Sequence, residues 1–144
     1  MRKPDVCRGC PLYDDGEGFV PDEIVDPAAP VDVWLQNPGA TEELKARPAV
    51  GATGEDLNEK FLPAAGLERG KNVNVRNVLR CRMRVNGKKV NDLPTGKTLI
   101  AAMKHCRVHD VETKATLAVA AGALAWKAFG GPGTISDWRG FLRP

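Results

Sequence analysis

The sequence predicts an α/β domain in which helices cover a central, mostly parallel sheet. Apolar segments of strand length alternate with helix-like patterns along the chain, which is typical of that class. Residues 115–121 are apolar without a break, as expected of a strand that is buried on both faces. A chain of 144 residues with 42% hydrophobic residues can bury a real core. We therefore expect one domain over residues 1–144.

The N-terminal part of the chain contains an irregular segment, a strand and a turn. Residues 1–30 are rich in Pro, Gly and Asp, and we expect them to wrap around the domain without regular structure. The first strand is predicted over Val31–Leu35, and Asn37, Pro38 and Gly39 follow it. This turn could simply reverse the chain. It could also form a binding loop, because open α/β sheets bind ligands beyond the carboxyl ends of their strands.

A helix and a second strand come next. Residues 54–65 have helical periodicity, which predicts that Leu57, Phe61 and Leu62 share one face. Residues 72–79 are rich in valine and predict the second strand. The order strand, helix, strand is the unit from which parallel sheets are built.

The rest of the chain continues this alternation. A turn is predicted at Asn86-Gly87, and a helix is predicted after Pro94. Residues 115–121 form the third predicted strand, and residues 122–129 form a short helix that a Gly- and Pro-rich segment ends. Three strands make a thin sheet, so we expect a domain that is incomplete at its C-terminus. Since no apolar run reaches membrane-spanning length and the N-terminus lacks the apolar core of a secretory signal, we expect a cytoplasmic protein without membrane contacts.

Positive charge is concentrated in one part of the chain, although the formal net charge is only +3. A local basic segment predicts contact with a polyanion such as nucleic acid. A solvated surface loop is the alternative interpretation. The predicted DNA contacts are Arg80, Arg82, Arg84, Lys88 and Lys89.

The four cysteines predict a metal site. Cys7 and Cys10 form a C-x-x-C pair, whereas Cys81 and Cys106 stand alone. Structural disulfides are rare in cytoplasmic proteins, and four thiolates can hold either zinc or a [4Fe-4S] cluster. The wide separation of the last two cysteines favours the cluster over zinc. The alternative is that these two are buried apolar residues without a ligand role.

Two histidines, His105 and His109, lie four residues apart in the segment after the predicted helix start. This spacing places both rings on one face of a helix, where they could bind zinc. Exposed histidines on a helix surface are more common, and we interpret both residues in that way.

A series of motifs occurs in the order found in one family of DNA repair enzymes. They are C-x-x-C-P-L at 7–12, x-x-N-P-G-A-T-E-E at 35–43, R-P-x-V-G-x-x-G at 47–54, A-G-L at 65–67, V-R-N-V-L-R-C-R at 75–82, A-A-G-A-L-A-W-K-A-F-G at 120–130 and R-G at 139–140. With these motifs and Cys106, the chain resembles the family 4, iron–sulfur uracil-DNA glycosylases over nearly its whole length. Some members are N-terminal domains of phage DNA polymerases, and an incomplete domain would fit that arrangement.

The resemblance implies a three-layer α/β/α fold and the excision of uracil from DNA after the nucleotide has been flipped out of the stack. It implies that the four cysteines hold a [4Fe-4S] cluster, two of them from the wrap formed by residues 1–30. It also implies that Asn77 binds the Watson–Crick edge of uracil, because an amide matches the donor and the acceptor there. Pro38, Gly39 and Ala49 complete the substrate-binding residues that the resemblance implies.

The predicted catalytic residues, Gln36 and Asn37, differ from the family 4 pattern. Family 4 has a carboxylate at the position of Gln36, whereas Asn37 lies where the mismatch-specific branch of the superfamily uses asparagine. We expect Asn37 to position the attacking water. An amide cannot accept a proton from this water, so general-base assistance of roughly 10²–10⁴-fold is at risk.

Ala49 lies where family 4 has a phenylalanine that stacks on the flipped base. Such stacking contributes about 1–3 kcal/mol per base. Tyr13 and Phe61 are the candidates to replace this ring. The family's late histidine and its DNA-intercalating loop would lie beyond Pro144, so we expect this chain alone to be nearly inactive.

Three functions remain open from the sequence. The first is a monomeric glycosylase that removes uracil or a related deaminated base from single- or double-stranded DNA. The second is a catalytically impaired, glycosylase-like DNA-binding module of a phage replication protein, joined to or associated with a DNA polymerase. The third is a zinc-stabilised structural domain without a role on DNA.

Overall fold

The computed structural model describes residues 2–85, 88–89, 93 and 95–140, and its account of side chains leaves out residues 84, 85, 88 and 89. Within this part of the chain, the central sheet has three parallel strands in the order β3–β2–β6. They are β2 (Val31–Leu35), β3 (Val73–Asn77) and β6 (Leu117–Ala120). In the register, Leu35 lies beside Asn77, so the carboxyl ends of these strands meet at one edge of the sheet.

Helices cover both faces of this sheet. Between β2 and β3 the chain forms α1 (Ala40–Lys45), α2 (Ala52–Asp56), a π-type turn (Leu57–Phe61) and α3 (Leu62–Ala64). On the other face lie α4 (Gly96–Cys106) and α5 (Ala123–Ala128). Because alternate residues of a strand point to opposite faces, the sheet contributes to two separate cores. The predicted three-layer α/β/α fold is confirmed.

The two cores have different compositions. The first contains valines of β2 and β3 with Leu62, and its buried members are Val31, Val33, Ala49, Leu62, Val73 and Val75. The second joins the end of β3 to α4 and α5, and its buried members are Leu12, Val78, Leu79, Met83, Ala102, Cys106, Leu124 and Ala125. Leu12 comes from the N-terminal segment, so this segment is part of the second core.

A small antiparallel sheet lies outside the central one. Its strands are β1 (Gly16–Glu17), β4 (Arg82–Val85) and β5 (Lys88–Lys89), in the order β1–β4–β5. The sequence predicted neither β1 nor the strands of the basic segment. These strands form because the wrap passes beside residue 82 and can pair with it. The turn predicted at Asn86-Gly87 lies outside the described residues.

Buried ion pairs attach the N-terminal wrap to the central sheet. The Asp22 carboxylate accepts hydrogen bonds from Arg76 Nε at 2.9 Å and from Arg80 Nη2 at 2.6 Å. The backbone of Glu23 exchanges two hydrogen bonds with Val75 on β3. A short 3₁₀ turn, Asp5–Gly9, is the other regular element described in the wrap. The wrap is therefore fixed in place by contacts that the sequence pattern did not reveal.

Two predictions about burial are wrong. Phe61 is 65% exposed. The Leu62 N–H bonds to the carbonyl of Leu57, five residues back, and this π-type turn is wider than a regular helical turn. The wider turn places Leu62, rather than Phe61, on the same face as Leu57. The third strand is not buried on both faces, since Leu117 and Val119 are each 39% exposed. It is an edge strand that pairs with β2 alone among the described strands.

No helix in the described ranges is long and apolar enough to cross a membrane.

Candidate functional site

A cavity at the carboxyl edge of the central sheet collects most of the predicted site residues. Its empty volume, including the space at its mouth, is about 1100 Å³. The predicted site residues that line it are Gln36, Asn37, Gly39, Ala49 and Asn77. Pro38 is fully buried beside them. The sheet topology explains this convergence, because the segments after β2 and at the end of β3 lie side by side at that edge.

Asn77 is the buried polar group of this cavity. The residue is 2% exposed, and its Nδ2 atom is buried without a hydrogen-bond partner among the described residues. Its backbone N–H is oriented by the Asp22 carboxylate at 3.4 Å. An unsatisfied buried donor costs about 1–3 kcal/mol. A ligand with a hydrogen-bond acceptor would offset this cost.

The two residues predicted to be catalytic differ in their surroundings. Asn37 is half-buried, and its Nδ2 donates to the Pro38 carbonyl at 3.3 Å. Its Oδ1 has no partner in the described part of the chain and can accept a hydrogen bond. In contrast, the Gln36 Oε1 accepts from the Leu124 N–H at 3.2 Å, in the first turn of α5. Gln36 therefore anchors α5, which is a structural task.

The close approach of α5 to Gln36 depends on Gly122. A Cβ on Gly122 would lie 2.9 Å from the Gln36 Cγ, and the residue has a φ of +116°, which other residues rarely adopt. The chain can turn from β6 into α5 at this point only without a side chain. Gln36, at the end of β2, and the start of α5 are thereby fixed to each other.

The Ala49 loop forms the opposite wall of the cavity. Ala49 is buried with a φ of +47°, a left-handed conformation that costs roughly 1–2 kcal/mol for residues other than glycine. Arg69 holds the loop, because its guanidinium donates to the carbonyls of Pro48 and Ala49. A Cβ on Gly54 would lie 1.9 Å from the Ala49 oxygen, so α2 begins directly against this wall.

No aromatic side chain of the described residues lines this cavity. Tyr13 lies instead at the cysteine cavity, and Phe61 is exposed to solvent. Neither of these two candidates for the missing stacking ring lies at this cavity. Ala49 itself is packed in the first core, with side chains of β2 and β3.

The sequence analysis missed Glu42, whose carboxylate clamps the two loops of the cavity together. Its Oε2 accepts from the Gly39 N–H at 3.1 Å, and its Oε1 accepts from the N–H groups of Val50 and Gly51 at 3.1 and 2.9 Å. A glutamate three residues after a helix N-cap is the signal that could have identified the first of these bonds. The other two bonds join distant segments and have no local signal.

The four cysteines line a second cavity, below the end of β3. Cys7 and Cys10 come from the wrap, Cys81 precedes β4, and Cys106 ends α4. The empty volume is about 390 Å³, including the mouth. The structure thus brings the four predicted ligands to one place.

A zinc ion and a [4Fe-4S] cluster require different spacings of these four sulfurs. Among the described residues, no three His, Cys, Asp or Glu side chains converge closely enough to hold one metal ion. Zinc would need sulfurs only about 3.8 Å apart, given zinc–sulfur bonds of about 2.3 Å and tetrahedral geometry. A cubane of four irons holds its ligand sulfurs farther apart, and the four cysteines that line this cavity match the number of ligands that it needs.

Three thiols of this cavity, those of Cys7, Cys81 and Cys106, have raised pKa values when no metal is bound. Burial raises the pKa of Cys81 to about 12, and the neighbouring thiols add to this effect. Burial also raises the pKa of Cys7, as do Cys106 and Cys10. A bound metal reverses this balance, because its positive charge stabilises thiolates.

Both histidines contact the cysteine site, so the interpretation of His109 as a surface residue is wrong. His109 is half-buried, with its Nε2 atom 3.1 Å from the Cys7 sulfur. Burial lowers the pKa of His109, and Arg80 lowers it further. His105 contacts the Val6 carbonyl through Nε2 at 3.0 Å and so ties α4 to the wrap. The sequence spacing alone did not reveal either partner.

Arg80 is not placed to contact DNA, which corrects one prediction from the basic segment. It is 1% exposed and pairs with Asp22 and with Asp110, both at 2.6 Å. Its Nη1 also donates to the Cys106 carbonyl at 2.9 Å. Arg82 is mostly buried and pairs with Glu43 at 3.4 Å.

The other three predicted DNA contacts are Arg84, Lys88 and Lys89. Their backbones form β4 and β5, and their side chains lie outside the described part of the structure. Their role in DNA binding stays a prediction.

Comparison with known proteins gives one partial relation. No family model matches the chain. The chain is 41% identical over 82 residues to the type-4 uracil-DNA glycosylase of Archaeoglobus fulgidus, a stretch that covers 57% of this chain and 40% of that protein. The match thus spans less than half of the relative's length. It supports a relation to the uracil-DNA glycosylases, and the parallel sheet flanked by helices is consistent with their fold.

Proposed function

We propose that this chain is a DNA glycosylase that binds a flipped uracil, or a related deaminated base, in the cavity at the carboxyl edge of the sheet. The observation that carries the proposal is the buried Asn77 amide, whose Nδ2 lacks a partner and which shares this cavity with Asn37. Uracil presents both acceptors and a donor on its Watson–Crick edge, and one amide can satisfy an acceptor and the donor. The partial similarity to a protein named as a uracil-DNA glycosylase supports the same activity.

In this mechanism, Asn77 binds the base and Asn37 positions the water that attacks the sugar carbon. The Asn37 Oδ1 accepts a hydrogen bond from this water but cannot take its proton. The Glu42 carboxylate does not replace the missing base, because three backbone N–H groups already occupy it. Without a general base, the reaction loses a contribution of roughly 10²–10⁴-fold. We therefore expect slow excision.

We further propose that Cys7, Cys10, Cys81 and Cys106 hold a [4Fe-4S] cluster. The common cavity that all four cysteines line supports this choice. When bound, the cluster would supply a structural crosslink between the wrap, the end of β3 and α4. The residues that bind the base do not contact this cavity, so no step of the excision passes through the cluster.

Excision of uracil from single- and double-stranded oligonucleotides tests the proposal, with abasic sites detected by strand cleavage in alkali. Asn77→Ala should reduce the rate by roughly tenfold to a hundredfold, the loss expected for one buried hydrogen bond. Asn37→Asp should raise it, because a carboxylate can accept the proton of water. Asn58→Ala, which changes an exposed amide on the π-type turn, should leave the rate unchanged.

Absence of abasic product from the iron-loaded protein, produced with any sequence that continues past Pro144, on both substrates would exclude the glycosylase. Equal rates for the wild type and the Asn77 variant would exclude Asn77 as the base-binding residue.

The second candidate is a DNA-binding module without chemistry. Two observations favour it: Gln36 is engaged at α5, and no aromatic ring lines the cavity among the described residues. Such a module would bind DNA with a steep salt dependence and release no base. That the domain is incomplete after Pro144, or joined to a phage DNA polymerase, stays a prediction that the downstream coding sequence tests.

Titration with DNA over a range of salt concentrations tests the role of the basic hairpin formed by β4 and β5. Replacement of Arg84, Lys88 and Lys89 by alanine should reduce the slope of log K against log salt by about 2.7 on duplex DNA, at about 0.9 for each lost phosphate contact. Lys71→Ala removes an exposed lysine that pairs with Glu68 and is the matched control. An unchanged slope in the triple variant would exclude this hairpin as a DNA contact.

A further inference from the structure

The contact between His109 and Cys7 is the shortest described approach of a nitrogen atom to any of the four sulfurs. The Nε2–Sγ distance is 3.1 Å, well inside hydrogen-bonding range for sulfur. We propose that His109 donates an Nε2–H hydrogen bond to the Cys7 thiolate and thereby tunes the reduction potential and the retention of the cofactor. This inference rests on the proposed cluster.

The surroundings of His109 fix its ring in this position. The Phe19 ring packs against it with centroids 4.8 Å apart, and Phe19 is itself buried. His109 lies in the turn Arg107–His109, which directly follows Cys106 at the end of α4. The donor is thus carried by the same rigid segment as one of the ligands. It reaches across the cavity to a ligand on the wrap.

A second donor approaches the site at another sulfur. Arg80 Nη1 lies 3.6 Å from the Cys106 sulfur, and Asp22 and Asp110 hold its guanidinium in place. A thiolate-bound cluster gains negative charge when it is reduced. N–H groups that point at its sulfurs stabilise the reduced state more than the oxidised one, and so raise the potential. The contacts from His109 and Arg80 both raise the reduction potential, and each acts on a different cysteine, Cys7 and Cys106.

His109 offers the better test of this idea. Arg80 carries the buried ion pairs that attach the wrap, so its replacement would disturb folding. His109 has no ion pair, and a single side-chain hydrogen bond is described for it. Glutamine can place an amide N–H close to the position of the imidazole Nε2–H, whereas leucine fills similar space without a donor.

The experiment uses the full chain, reconstituted with iron and sulfide, and compares the wild type with His109→Leu and His109→Gln. We expect the same iron content and visible absorbance in all three proteins. His109→Leu should show a more negative midpoint potential and a roughly tenfold faster loss of iron to a chelator, as is typical when a partner of a metal ligand is removed. His109→Gln should remain close to the wild type in both measurements.

His105→Leu is the matched control, because His105 joins the same helix to the wrap through the Val6 carbonyl without bonding to a sulfur. An equal shift in the His105 and His109 variants would overturn the proposal, since it would report loosened packing. So would a His109→Leu protein that matches the wild type, or one that lacks an iron because His109 is itself a ligand. Failure of the wild type to take up iron and sulfide would overturn the cluster as well, and the excision assay would still report separately on the glycosylase.

Discussion

Glu23 connects the N-terminal wrap to the wall of the cavity at the carboxyl edge of the central sheet. Its carboxylate pairs with Arg69 at 2.8 Å and also with Arg47. Arg69 in turn holds the carbonyl of Ala49. Burial on its own would raise the pKa of Glu23, but the hydrogen bonds from Arg47 and Arg69 outweigh it and lower the pKa to about 2. One carboxylate therefore supports a loop that it does not touch.

This pKa makes stability depend on pH in a defined direction. Because the folded-state pKa is lower than the ordinary value of 4.5, the contribution of Glu23 is fully present above pH 4.5 and is lost as the pH falls towards 2. Glu23→Gln should be less stable than the wild type at neutral pH, and the difference should shrink across this window. Urea unfolding at several pH values measures it.

Glu68→Gln is the control for this measurement, since Glu68 pairs only with the exposed Lys71 among the described residues. A difference between the wild type and Glu23→Gln that stays constant from neutral pH to pH 2 would contradict the assignment.

The residues differ in how far the sequence could reveal their positions. Asn37 and Asn77 line one cavity because each follows or ends a parallel strand, and strands can be predicted from local pattern. The burial of Arg80 depends on Asp22, which lies in an irregular segment without periodicity. A basic residue looks the same in sequence whether it faces DNA or a buried carboxylate. The contact of His109 with Cys7 is hidden for the same reason, as it joins residues at opposite ends of the chain.

Among the elements, the three strands of the central sheet are predicted well, whereas the burial of β6 and the strands of the small antiparallel sheet are not. β2 extends over Val31–Leu35 as predicted, because its apolar residues are bounded by turn-forming ones. For β6, the apolar sequence predicts a strand but cannot say whether a fourth strand covers it, and the described sheet leaves it at an edge. The outward turn of Phe61 results from a π-type hydrogen bond, which regular helical periodicity does not anticipate.

The Glu42 clamp joins α1 to the loop before α2, and its loss should loosen both. Glu42→Ala leaves three backbone N–H groups without their acceptor, so we expect destabilisation of roughly 2–4 kcal/mol. Glu42→Gln keeps one carbonyl oxygen and should have a smaller effect. Hydrogen exchange should show faster exchange at the amides of Val50 and Gly51, and urea unfolding gives the change in stability.

Glu59→Ala changes an exposed glutamate outside the clamp and should affect neither measurement. Unaltered exchange at Val50 and Gly51 in Glu42→Ala would show that the clamp does not hold the loop.

For the whole molecule, different contacts attach the early and the late part of the wrap. The early part packs through Leu12 into the second core and contacts His105 through the Val6 carbonyl. The proposed cluster would add a crosslink from Cys7 and Cys10 to Cys81 and Cys106. The ion pairs of Asp22 and the backbone pairing of Glu23 hold its later part. Removal of the proposed cluster should therefore loosen the first part and leave the second in place.

Chelation of iron under oxidising conditions tests this division. We expect residues 2–15 to become sensitive to protease and to exchange their amide hydrogens faster, whereas β2 and β3 keep their protection. A Cys7→Ser/Cys10→Ser variant should show the released state before chelation and no further change after it. Uniform loss of protection over both sheets would instead mean that the cluster holds the entire fold.

The missing side chain at Gly54 has a consequence for the evolution and engineering of this cavity. Even a methyl group there would overlap the Ala49 oxygen, with only 1.9 Å between the atoms, and would push the wall inwards or pull α2 away. The space inside the cavity is thus limited by a position behind its wall. Attempts to reshape the cavity should leave residues 49 and 54 untouched and vary its more exposed lining residues instead, because Ala49 is buried in the first core with a left-handed φ of +47°.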